Sequence, residues 1–249
     1  MNLSDLEILI TGGGSGIGRH LVDRLSPQVK AISVFERDSN LCAELQGLYH
    51  NVKFYPCDVT EMSQLIVALD VMDIEGFKTD VLINNAGLIH SEVLINILSK
   101  VDRVHSLVNW HTVIGANLHS VFNVTGLVVD RMVALRKKGV IINISSISAD
   151  GNPGQSAYSA AKAGVNSLTR TWSKELGSFG LRFVAIAPGF FDTPSTRKAL
   201  SEPILAKLKQ QIPLRRFGEV EHVYQTVRFV IENDYLNGTV IDVDGGLVI

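Results

Sequence analysis

Short apolar runs alternate with helix-forming stretches along the whole chain, and this alternation constrains the fold more than any other feature. LEILIT (6–11), KAISVF (30–35), NVKFYPCDV (51–59), VLINNAG (81–87), VIINIS (140–145), RFVAIA (182–187) and TVIDV (239–243) read as strands. Helical patterns fall between them at about 16–25, 40–49, 61–71, 108–135, 157–178 and 220–231, with a helix-rich stretch at 196–210. Strictly alternating elements place helices on both faces of a parallel sheet, because parallel strands need right-handed crossovers. Strands buried on both faces read as continuous apolar runs. The 46% hydrophobic and 19% charged composition suits that arrangement. The expectation is an α/β fold, a Rossmann-type doubly wound sheet of about seven parallel strands. No linker or low-complexity tract divides residues 1–249, so one domain is expected.

Several classes of protein fit poorly. A net charge of −2 gives no basic field for nucleic acid. The opening MNLSDLEILITGGG lacks the pattern of a signal peptide, and no unbroken run of 18 apolar residues suggests a membrane span. A cytoplasmic location without membrane contact is the expectation. Cys42 and Cys57 have no ligand spacing and read as buried small hydrophobes. The seven histidines show none either, so no metal is expected.

The turn TGGGSGIG (11–18) follows the first strand and opens the first helix. Such a turn lets backbone N–H groups approach a pyrophosphate at the positive end of the helix dipole. Gly12, Gly14, Ser15, Gly16, Ile17 and Gly18 are therefore candidate dinucleotide-binding residues. The spacing of Gly12, Gly16 and Gly18 is a variant of the usual fingerprint, and glycines alone also simply make turns. Glu36 ends the second strand, where an acid accepts bonds from ribose hydroxyls and repels a 2′-phosphate. Arg37 follows, and a guanidinium there can hold that phosphate. NAD(H) is favoured and NADP(H) stays possible; a solvated charged turn is the bland alternative.

Tyr158 and Lys162 stand four residues apart in SAYSAAKAG. On a helix they share one face. An ammonium beside a phenol favours the phenolate and should lower the tyrosine pKa. So tuned, the tyrosine can give or take a proton near neutral pH. Alone, the spacing is common; its company gives it meaning.

TGGGSGIG, CDVT (57–60), NNAG (84–87), Asn117, NISS (143–146), Tyr158 with Lys162, PGFFDT (188–193) and DGG (244–246) occur in one order. In this the chain resembles the short-chain dehydrogenase/reductase family, and within it the subgroup of 3-oxoacyl-carrier-protein reductases and small alcohol and sugar dehydrogenases. The resemblance spans nearly the whole chain. It implies an enzyme that interconverts a secondary alcohol and a ketone by hydride transfer with NAD or NADP. It further implies that Asp58 and Val59 meet the adenine, that Asn85, Ala86 and Gly87 line the middle of the cofactor, and that Pro188, Gly189, Phe191 and Thr193 lie at its nicotinamide end. Asp58 and Thr193 can equally be caps, and Asn85–Gly87 a strand-end turn.

The implied catalytic group is Asn117, a serine, Tyr158 and Lys162. Tyr158 exchanges the proton, the serine holds the carbonyl oxygen, and Lys162 meets the nicotinamide ribose. Asn117 holds a water linking Lys162 to solvent, which calls for a helix irregularity near Gly115. Counting 13 residues back from the tyrosine gives Ser145; the second serine of the strand-end pair is Ser146, which is slightly favoured. Ser148 is a third candidate.

Two departures stand out. The strand RFVAIA lacks an asparagine near its start, and the chain between Gly87 and Asn117 is longer than in close relatives. The added part lies in SEVLINILSKVDRVHSLVNW (91–110) and shapes a substrate pocket, forms a subunit contact or is a mere surface excursion. Residues 194–216 read as a lid carrying basic residues for an anionic substrate or simply a solvated face. The basic spot Arg136, Lys137, Lys138 suits an acidic carrier protein or a helix end, and Phe179 stands where carrier-protein reductases often hold a basic residue. The resemblance implies a homotetramer, with a dimer next. The substrate stays open among carrier-bound 3-oxoacyl groups, sugars and small hydroxy compounds. A non-catalytic dinucleotide-binding regulator and a sugar-nucleotide-modifying enzyme are the competing readings.

Overall fold

The computed structural model describes residues 1–192 and 202–249. Its elements run β1 (Glu7–Thr11), α1 (Gly16–Leu25), β2 (Ala31–Glu36), α2 (Ser39–Leu45), β3 (Val52–Pro56), α3 (Met62–Ile74) and β4 (Val81–Asn84). Then come α4 (Leu107–Ile114), a π-turn (Gly115–His119), α5 (Ser120–Ala134), β5 (Gly139–Ile144) and α6 (Ser156–Leu176). The remainder is β6 (Leu181–Pro188), α7 (Glu202–Gln211), α8 (Val220–Glu232) and β7 (Thr239–Val243).

All seven strands form one parallel sheet in the order β3-β2-β1-β4-β5-β6-β7. The expected doubly wound fold is therefore present. Every residue of β1, β4 and β5 is buried, whereas the edge strand β3 exposes Lys53 and Pro56. Alternate side chains of each strand feed two cores. On one face Ile8, Ile10, Val34, Ile83, Ile142 and Ile186 pack with α1, α2 and α8. On the other, Leu9, Phe35, Leu82, Ile141 and Phe183 pack with α3, α5 and α6.

Boundaries shift from expectation for local reasons. Helix α2 stops at Leu45, short of the expected 49, and Gly47 follows with φ +89. The strand expected at 81–87 leaves the sheet after Asn84, because the Asn85 side chain turns back to the glycine turn. Leu107–Ala134 is one continuous 28-residue helix, long and apolar enough by composition to cross a membrane, a property hidden by its scattered polar residues. Its Val124, Val128, Val129 and Met132 are core residues. Residues between β4 and α4 form an excursion with one antiparallel bridge, Ile95 to Val104, and one parallel bridge, Glu92 to Gln155.

Candidate active site

The strand order reverses between β1 and β4, and in open α/β sheets ligands bind at the carboxyl ends beside such a switch. A cleft of about 640 Å³ opens there. It runs from Glu36, Arg37, Asp58, Val59 and Thr60 past the glycine turn to Ser146, Tyr158, Lys162, Pro188, Gly189 and Phe191.

The glycines divide by task. Gly12, Ser15, Gly16 and Ile17 line the cleft. Gly16 has φ +53 with open space where a Cβ would point, and Ser15 makes no side-chain cap, so the first N–H groups of α1 face the cleft. That cradle fits a pyrophosphate. Gly14 and Gly18 do not line the cleft, and close packing surrounds both. A Cβ on Gly18 would lie 2.1 Å from the Gly12 carbonyl oxygen and 2.5 Å from Asn85 Nδ2. A Cβ on Gly14 would lie 2.7 Å from the Glu36 carboxylate, which instead accepts the Gly14 N–H at 3.0 Å.

Several expected cofactor contacts are already engaged within the chain. Asn85 donates its amide to the carbonyls of Thr11 (3.1 Å) and Gly12 (2.9 Å), and Thr11 Oγ1 accepts the Asn85 and Ala86 N–H groups. Thr11 thus joins β1 to the end of β4, a role its place in the motif did not disclose. Asp58 lines the cleft and also caps a turn, accepting from the Thr60 N–H and hydroxyl. Gly87 has no room for a side chain: a Cβ would fall 2.5 Å from Asn117 Oδ1. Gly189 likewise backs onto Asp244, at 2.8 Å from the Asp244 Cα. Thr193 lies outside the described residues, as does the first part of the expected lid.

Asn117, Ser146, Tyr158 and Lys162 all line the same cleft. Asn117 is fully buried within the π-turn and donates to the carbonyls of Leu88 and Val113, both at 2.9 Å. The expected irregularity near Gly115 is this turn. Ser145 and Ser146 both line the cleft, just beyond the end of β5, and differ in their partners. Ser145 is buried with its hydroxyl 3.4 Å from the Lys162 carbonyl, while the Ser146 hydroxyl faces the Tyr158 phenol. Lys162 is buried and donates to the Ile144 carbonyl at 2.8 Å, with its Nζ 5.6 Å from the centre of the Tyr158 ring.

The expected fall in the Tyr158 pKa is not found. Burial pushes the phenol up, and the facing Ser146 hydroxyl offsets part of that rise. Burial also pushes the Lys162 ammonium down to about 8. Helical spacing gives the proximity, but both groups lie deep between β5 and α6, where charge itself is costly. Burial likewise raises the thiols of Cys42 to about 11 and Cys57 to about 12, as suits unreactive core groups.

Beneath these groups a buried polar chain joins four elements. Asn84 donates to Thr125 Oγ1 (2.9 Å) and Asn143 Oδ1 (2.8 Å), and Asn143 donates to Thr169 Oγ1 (2.9 Å). It fixes β4, β5, α5 and α6, which carry or adjoin the cleft residues, relative to one another. On the open side the cleft adds Leu88, Ile89, Ile147, Ser148, Asn152 and Gln155. Of these only Ser148 was a candidate. Gln155 sits at the N-cap of α6, one turn before Tyr158, and that spacing was a signal available in the sequence. The basic spot resolves differently: Lys137 pairs with Asp80 and the Lys78 carbonyl.

A strand-order switch, an uncapped glycine turn and a tyrosine–lysine–serine–asparagine group in one cleft define a dinucleotide-dependent oxidoreductase. Residues 7–203 match the family model described as short chain dehydrogenase. The chain is 39% identical to the 3-oxoacyl-acyl-carrier-protein reductase FabG of Thermotoga maritima, covering 100% of both chains. It is 34% identical to the human 3-hydroxyacyl-CoA dehydrogenase type-2, covering 99% of this chain and 96% of that one. A solved structure described as a candidate gluconate dehydrogenase of Agrobacterium tumefaciens superposes with a TM-score of 0.88 at 28% identity, over 98% of this chain and 96% of that one. The chain belongs to the short-chain dehydrogenase/reductase family. It is an oxidoreductase of CH–OH groups that uses a nicotinamide dinucleotide to interconvert an alcohol and a ketone.

Proposed function

We propose that the chain reduces a 3-oxoacyl thioester, or oxidises the matching 3-hydroxyacyl compound, with NAD(H) favoured over NADP(H). The observation that carries this reading is the set of apolar side chains, Leu88, Ile89, Ile147 and Phe190, in the lining of the cleft that holds Tyr158, which suits an acyl chain. Two relatives bear names with 3-oxoacyl or 3-hydroxyacyl chemistry. Glu36 at the rim supports NAD(H), since a carboxylate opposes a 2′-phosphate; Arg37 keeps NADP(H) open. A second reading, a sugar or small hydroxy compound, draws on the neutral hydrogen-bonding side chains of Ser148, Asn152 and Gln155.

The bound dinucleotide supplies or accepts the hydride. Tyr158, held protonated by its burial, donates its proton to the carbonyl oxygen, or takes one from the alcohol in reverse. The Ser146 hydroxyl donates to the same oxygen as charge develops on it. Lys162 binds the nicotinamide ribose. Asn117 holds the water through which Lys162 reaches solvent. Asp58 and Val59 take the adenine, and Thr193 takes the carboxamide. The chain acts as one domain over 1–249.

The active form is a homotetramer in the cytoplasm, with a dimer next. Its support is the exposed apolar side of the long helix, where Leu107 and Val108 are each 73% exposed and Phe122 57%. The test follows the absorbance of the reduced nicotinamide with 3-oxoacyl thioesters, sugars and small ketones. Turnover with the thioesters and NADH supports the reading. Turnover with sugars alone would replace it.

A further inference from the structure

We propose that Glu92 is a positioning residue that seats the 88–106 excursion against the cleft as the wall selecting the acyl part of the substrate; this rests on the ketone-reductase reading above. The excursion cannot be held by apolar burial, since Ile97 is 76%, Leu98 91% and Val101 71% exposed. Ordering a segment costs about 1–2 kcal/mol per residue in backbone entropy, so something else must fix where it sits. Glu92 supplies that anchor. Its carboxylate accepts from His90 Nε2 (2.9 Å), the Ser106 N–H (2.8 Å) and Asn109 Nδ2 (2.9 Å), and His105 Nδ1 lies 3.7 Å away. The two ends of the excursion and the start of α4 are thereby gathered on one carboxylate. These donors hold it well below the usual carboxylate range, at about 2, so it stays charged near neutrality.

The backbone of the same residue reaches the active-site side. The Glu92 N–H donates to the Gly154 carbonyl at 2.7 Å, and Ser91 Oγ accepts from Gln155 Nε2 at 3.3 Å. Gln155 Oε1 in turn accepts from Ser148 Oγ (2.9 Å) and Asn152 Nδ2 (3.1 Å). Four residues earlier, Leu88 is pinned by Asn117, which accepts its N–H and donates to its carbonyl. Residues 88–92 are therefore stretched between two fixed points, Asn117 and Gly154. Leu88 and Ile89, which line the cleft, lie on that span. Their position depends on Glu92, although Glu92 itself is not among the cleft-lining residues.

The test compares the wild type with Glu92→Gln and Asn109→Ala, using acetoacetyl- and 3-oxodecanoyl-N-acetylcysteamine thioesters. Each variant removes part of the anchor, so one still reads out if the other fails to fold. Loss of a charge-assisted bond is expected to raise KM for the long thioester about tenfold, with kcat, KM for the short thioester and the dinucleotide Kd within about twofold. Glu92→Asp, which keeps the charge, recovers part of the long-chain KM. A merely structural role would lower kcat for both thioesters together, and that result overturns the proposal. An unchanged ratio of the two KM values in both variants overturns it too. No turnover by the wild type with any ketone instead overturns the reductase reading, and this proposal with it.

Discussion

Ser145 and Ser146 show how two like neighbours in one cleft can take different partners. Counting back from Tyr158 left them undecided, and both line the cleft; they differ in partner, the Lys162 carbonyl for Ser145 and the Tyr158 phenol for Ser146. Ser146→Ala should lower kcat by about 10²–10³, the usual cost of one lost donor to a developing oxyanion. Ser145→Ala, which loses only a long 3.4 Å contact, should stay within about threefold in steady-state assays. The proximity of Tyr158 and Lys162 was legible from helical spacing. Their protonation was not, because it depends on burial between elements far apart in sequence. For Lys162 the sign follows from its lowered pKa of about 8 against the ordinary 10.5. Between these values the unfolded chain binds the proton more tightly, so stability rises as pH climbs through that window. Relative to Lys162→Met, the wild type should gain about 2 kcal/mol between about pH 7.5 and pH 10 in urea unfolding. A pH-independent difference would show that Lys162 titrates normally.

Among the elements, the glycine turn was legible as a motif, while the division of labour within it was not. Gly16 serves the open N-terminus of α1, whereas Gly18 serves the approach of α1 to the Gly12 carbonyl and Asn85. Sequence lists glycines alike; what each Cβ would meet depends on β4 and its exit. Gly18→Ala should therefore cost about 1–3 kcal/mol in unfolding midpoint measurements and weaken dinucleotide binding. A neutral substitution there would mean that the turn is looser than its contacts imply. The long helix was legible from its apolar pattern, and the need for an irregularity at Gly115 came from the resemblance. The excursion before α4 carried no periodic signal, since its few ordered contacts are bridges and side-chain bonds rather than a repeating ladder. Its anchoring by Glu92 joins residues up to 62 positions apart (Glu92 to Gly154), which no local pattern announces.

At the scale of the whole molecule, alternation alone was enough to give the doubly wound sheet. Each buried run needs two covering layers, and right-handed crossovers leave few other arrangements. The substrate side was less legible, because it is assembled from the excursion, the loop before α6 and residues near the end of β6. Assembly of copies is argued from exposed aliphatic and aromatic side chains on the long helix. Light scattering on a size-exclusion column should give the mass of four 27.2 kDa chains at about micromolar concentration, a range in which interfaces of standard size persist. A single-chain mass would remove that reading. The central claim is that Tyr158 exchanges the proton while the rest of the cleft holds the dinucleotide. Its most direct test is Tyr158→Phe, with NADH binding followed by fluorescence and ketone reduction by absorbance. Binding should persist, and kcat should fall by about 10²–10⁴, the contribution of a positioned general acid. Undiminished turnover by a variant that binds NADH normally would contradict the account.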